Sequence, residues 1–143
     1  MRAIYWGLIV LSAGLASSIV AGAAADNGGL RLYSDMCIHP ESGDLLGTRI
    51  AVFDLGDASY VTFQEAEGVM GKPETVRLAP DDLRGSALSF VLESGGKRER
   101  FQGAITEGSI AGKFDDGRAG PTLNPVFQLK RVSKIVKGFA VCR

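Results

Sequence analysis

The chain has 143 residues, of which 45% are hydrophobic, and its 16 Lys and Arg balance its 16 Asp and Glu. That is one domain's worth of chain, long enough to bury a core. The even charge excludes a bulk nucleic-acid binder, which needs a strong positive field, and no P-loop or G-x-G-x-x-G run is present to cradle a nucleotide.

Arg2 precedes an apolar run from Ile4 to Leu15, and the segment closes on Ala21-Gly22-Ala23-Ala24-Ala25 before Asp26. A charge, an apolar core and a small-residue site in that order predict a secretory signal peptide over residues 1–25. The stretch from Ala3 to Ala25 is uncharged and also long enough for an uncleaved anchor, since ~20 apolar residues span a bilayer. Its Ala, Gly and Ser content favours cleavage after Ala25. The remaining 26–143 would form a single β-barrel domain in the periplasm or outside the cell. Export would remove Trp6, the only Trp, and only Arg2 from the charge count.

Asp26–Gly43 reads as a lead-in carrying Cys37. Cys37 and Cys142 are the only cysteines, and in an oxidising compartment such a pair predicts one structural disulfide. It would close a loop of about 100 residues, for which chain entropy gives ~4–5 kcal/mol. A metal site would need more ligands than these two thiols and His39 supply, so no metal or cofactor is expected. His39, the sole histidine, precedes Pro40 and reads as a loop residue rather than a catalytic base.

From Gly43 onward, short apolar runs alternate with Gly, Asp and Pro. The runs are Arg49–Leu55, Tyr60–Glu67, Val76–Ala79, Ala87–Glu93, Arg98–Thr106, Ser109–Phe114 and Val126–Lys130. Turn residues about every ten positions predict an all-β sandwich or barrel. Leu88, Phe90 and Leu92 share one face, as do Phe101, Gly103 and Ile105, then Ile110, Gly112 and Phe114, then Phe127 and Leu129. Gly95-Gly96 and Glu107-Gly108 suit tight hairpins. The expectation is an antiparallel up-and-down meander barrel of about seven or eight strands, since closure removes exposed edges. Gly103 and Gly112 would face each other in a hairpin. Strong coiling or room for a ligand would explain them, and coiling is preferred.

At the far end, Val132, Ile135, Val136 and Phe139 fall at helical spacing beside Lys130, Arg131, Lys134 and Lys137. This predicts either a short amphipathic helix that plugs the barrel or a last irregular strand. A basic helix of this kind can also lie on an anionic surface.

Phe101-Gln102-Gly103-Ala104-Ile105 followed by Ile110-Ala111-Gly112-Lys113-Phe114 resembles the F-x-G-x-I … I-x-G-x-F hairpin of small secreted bacterial meander barrels. Tyr60–Gly68 and Gly43-Asp44 fit the same pattern. This group is similar in outline to lipocalin-like (calycin) barrels and is largely uncharacterised. The resemblance covers about Gly43 to Arg131 and implies the barrel fold. It carries no site residues, and the lipocalin G-x-W signature has no counterpart here.

Glu65 and Glu67 lie two apart on one strand, on the face of Val61 and Phe63. If that face is interior, they stand near a barrel mouth, where burial suits carboxyls to acid–base work. If the strand ends near Glu65, both carboxyls are wet; alternatively, Tyr60 and Thr62 take the inner face. Asp54, Asp57 and Asp115-Asp116-Gly117 read as turn chemistry rather than calcium loops. The function expected is an exported, non-catalytic binding module for a small apolar ligand or a protein, a hydrolase inhibitor being one form. Its candidate contacts are Tyr60, Glu65, Glu67, Lys134 and Lys137. The alternatives are a hydrolase-type enzyme using Glu65 and Glu67, and an envelope protein docking through Lys130–Lys137. Membrane contact is expected only through an uncleaved signal or that basic segment.

Overall fold

The computed structural model describes residues 29–94, 96–115, 126–132 and 138–143. They form one all-β sheet of eleven strands. In chain order these are β1 (Leu30–Ser34), β2 (Cys37–Ile38), β3 (Leu45–Asp54), β4 (Ser59–Met70), β5 (Glu74–Leu78), β6 (Leu83–Arg84), β7 (Ala87–Ser94), β8 (Lys97–Ile105), β9 (Ser109–Phe114), β10 (Phe127–Arg131) and β11 (Ala140–Val141). No helix occurs among the described residues.

The long strands run up and down, each beside its neighbour in sequence. β3 pairs β4, β4 pairs β5, β7 pairs β8, β8 pairs β9 and β9 pairs β10, all antiparallel. β10 then returns to β1, with Tyr33 opposite Arg131 and Ser34 opposite Lys130, and β1 pairs β3. The sheet thus curls into an almost closed barrel whose first and last long strands are joined. The ladder is missing at one seam only on this path, between β5 and β7. The end of the barrel that carries Leu45 and Glu74 is its upper end.

The expected strand count falls slightly short. Three of the eleven strands, β2, β6 and β11, are only two residues long, too short for an alternating pattern to reveal. The segment expected as a lead-in, Asp26–Gly43, instead contains β1, the strand that closes the barrel, and β2. Its apolar pattern is inverted. Leu30 opposes Phe53 on the outer face and is 59% exposed, whereas Arg31 and Tyr33 oppose the inward-facing Val52 and Ile50. Most of the segment expected as a C-terminal helix, with Lys134 and Lys137, lies outside the described residues. Beyond it β11 runs parallel to β2, and Phe139 lies beneath the Arg49 guanidinium, 5.7 Å from ring centre to Cζ.

Cys37 and Cys142 are joined, 105 residues apart in sequence. The bond fixes β11 to the upper end, where the Cys142 N–H also donates to the Ile38 carbonyl at 2.9 Å. Across the β8–β9 hairpin, Gly103 faces Gly112. A methyl on Gly112 would come within 2.6 Å of the Gln102 carbonyl and 2.7 Å of Gly103 Cα. One on Gly103 would lie 2.9 Å from Gly112 Cα and from the Phe101 ring. Close backbone approach and the Phe101 ring therefore account for both glycines.

Candidate functional site

The barrel axis is filled. Phe63, Phe90, Phe101, Phe114 and Phe127 form one ring cluster with centroids 4.8 to 6.4 Å apart. Phe90 and Phe101 stack, and Phe114 meets Phe63, Phe90, Phe101 and Phe127 edge-on. Leu88, Leu92, Ile110 and Leu129 complete a core whose members are almost wholly buried. The period-two alternation of β7 to β10 produces this result directly: the inward positions around the ring cluster are large and apolar except the glycine pair, which the Phe101 ring covers, while the charged Glu99 and Arg131 take the same face at the strand ends.

The inner face of β4 is the one bearing Val61 and Phe63, both buried. Glu65 and Glu67 follow on that face at the upper end, opposite Thr48 and Leu46. Glu65 is half-buried and Glu67 exposed. Thr48 is fully buried, and its hydroxyl has no hydrogen-bond partner. Its N–H donates to Asp35 Oδ1 at 2.6 Å, and its carbonyl accepts from Asp35 N at 3.1 Å. Asp35 thereby bridges the break between β1 and β2, and loss of water around the carboxyl raises its pKa. Tyr60 takes the outer face, half-exposed, between Phe53 and Arg77.

His39 is part of a turn. Its Nδ1 accepts from the N–H groups of Ser42 and Glu41 at 3.3 and 3.4 Å, and its carbonyl accepts from Gly43 at 3.0 Å. Asp54 accepts from the Gly56 N–H at 3.1 Å, the turn role expected of it. Among the described residues, no three His, Cys, Asp or Glu side chains converge as metal ligands would.

A groove of roughly 850 Å³ opens on the outer wall instead. It lies over the β5–β7 seam and is lined by Lys72 and Pro73, by Glu74–Arg77 of β5, by Val91 and Glu93 of β7, and by Arg98 of β8. Arg98 holds Glu93 at 3.5 Å, and Tyr60 flanks the groove through its neighbour Arg77. Sequence reading misses this site because it consists of a pairing that does not form. The one signal available was the Gly71-Lys72-Pro73 break ahead of β5. Compared with known protein families, curated proteins and solved structures, the chain matches none.

Proposed function

We propose that this protein is an exported, non-catalytic binding module whose partner is another protein. The observation that carries the reading is the phenylalanine cluster on the barrel axis, which occupies the volume where a barrel would hold a small apolar ligand. Contact then falls to the outside. A scaffold tied by Cys37–Cys142 and a groove lined by charged side chains and strand edge support a protein surface as the thing bound. The disulfide is in keeping with an oxidising compartment.

Native mass spectrometry of the protein taken from its own compartment tests this. The expected spectrum contains the bare oxidised chain and a complex with a second polypeptide of defined stoichiometry. A retained small apolar molecule, with no polypeptide complex, overturns the reading.

A further inference from the structure

β5 and β7 are successive long strands of the meander, yet no ladder joins them. Hydrogen-bond parity identifies the backbone groups that face the gap. The Ser89 N–H donates to the Asp82 carbonyl at 2.8 Å, away from β8. Alternate residues of a strand bond to the same side, so Val91 and Glu93 also turn their N–H and C=O groups into the seam. On the other side, Asp54 N donates to Gly29 O and Asp35 N to Thr48 O, which directs the even-numbered residues of β3 toward β1. Carried through the β3–β4 and β4–β5 registers, this parity leaves Thr75 and Arg77 of β5 facing the seam. None of these four residues has a backbone partner across it, and all four line the groove.

The chain itself begins to fill the gap. β6 pairs β7 antiparallel at the lower end, Leu83 with Leu88 and Arg84 with Ala87. That line stops at Asp82, whose carboxylate accepts from the Ala79 N–H at 2.8 Å and whose N–H donates to the Ala79 carbonyl at 2.9 Å. Above it, β5 presents five residues of edge, about 17 Å of extended chain.

We propose that the upper β5–β7 seam receives an extended, acidic segment of a protein partner, which continues the line of β6 antiparallel to β7 and completes the barrel wall. The proposal rests on the protein-partner reading above. Backbone pairing supplies the affinity, and alternate side chains supply the choice of partner. On the outer side the incoming side chains meet Arg77, with Lys72 at the mouth; neither makes an ion pair among the described residues. Glu93 is paired with Arg98, and the two cations outnumber Glu74, the remaining carboxylate of the lining, so the groove disfavours a basic strand, favours an acidic one, and guards the edge against indiscriminate pairing. On the inner side the segment meets Val76, which packs against the core, so apolar residues suit the alternate positions. Some β5–β7 Cα pairs lie within 8 Å, against about 9.6 Å for two inter-strand spacings, so the strands part to admit the segment.

Amide exchange of the oxidised protein tests the proposal, with a capped heptapeptide of alternating Val and Glu as the probe. The Val91 and Glu93 amides should slow by about tenfold or more at saturation. The same peptide N-methylated at alternate residues should leave them unprotected, and a Val and Lys peptide should bind about tenfold more weakly or worse. Lys72→Glu with Arg77→Glu should reverse that charge preference. Seam amides unaffected by the Val and Glu peptide, or protected equally by its N-methylated form, overturn the proposal. So does concentration-dependent protection without peptide, which would mean a second copy of this chain. A polypeptide complex in the native spectrum that leaves Val91 and Glu93 exchanging freely removes the seam but keeps the protein-partner reading.

Discussion

The Tyr33 hydroxyl donates to the Thr106 carbonyl at 2.9 Å, tying the first strand to the β8–β9 turn across 73 residues of sequence. Tyr33 is fully buried, so its ring packs in the core while its oxygen reaches the barrel's lower end. Tyr33→Phe keeps the packing and removes the bond. The expected cost is ~1 kcal/mol, read as a lower urea midpoint with an unchanged slope.

The Gly103–Gly112 pair should tolerate no side chain. Gly112→Ala places a methyl against two backbone atoms and the Phe101 ring, and backbone gives way less easily than a side-chain tip. A loss of about 1–3 kcal/mol is expected from overpacking of this kind. Phe101→Leu should recover part of it, because the ring is one of the three obstacles. Additive effects of the two substitutions would contradict that coupling.

Reduction should matter more than any single contact. Opening Cys37–Cys142 releases a 105-residue loop, which the chain-entropy model values at ~4–5 kcal/mol. Unfolding with and without reductant gives the difference directly. The amides of Ala140–Cys142, held to β2 by a two-residue ladder and one further bond, should be the first to exchange freely.

Thr48 tests whether its buried polar atom is kept for stability. Its hydroxyl is enclosed and unpartnered, a situation that costs ~1–3 kcal/mol. Thr48→Val should therefore raise the midpoint. A lower midpoint would mean that the hydroxyl has a partner in solution, such as an ordered water.

Asp35 gives a pH signature of known sign. Desolvation raises its pKa above the ordinary 3.8, outweighing the lowering effect of the Thr48 N–H. The folded state then holds this proton more tightly than the unfolded one. The associated stability is present below about pH 3.8 and is lost as pH rises through the folded value. Asp35→Asn keeps an acceptor for Thr48 and removes the titration. Its stability relative to the unaltered protein should grow with pH across that window, with a shallow slope because Asp35 is exposed over much of its surface. Parallel pH curves for the two proteins would refute the assignment.

The second half of the barrel could be read from residues alone because its inward positions are apolar and its turns carry glycine. Leu88, Phe90, Leu92, Phe101 and Phe114 stand where alternation places them. β1 could not, since its outward Leu30 and Leu32 mimic a core pattern while Arg31 and Tyr33 face inward. The face of Glu65 and Glu67 follows from Val61 and Phe63, but whether the interior has room there depends on how five rings from five strands meet, and no local pattern encodes that. The groove is further still from the sequence. Thr75, Arg77, Val91 and Glu93 carry ordinary strand residues, and what distinguishes them is a neighbour that never arrives.

Because β1 is hydrogen-bonded to β10 and Cys37 is bonded to Cys142 across 105 residues, closing the barrel joins segments that are made far apart in time. A nascent chain that has emerged only as far as β9 has no partner for the free edge of β1 and none for its first thiol. Such long-range closure makes folding slow relative to local structure formation.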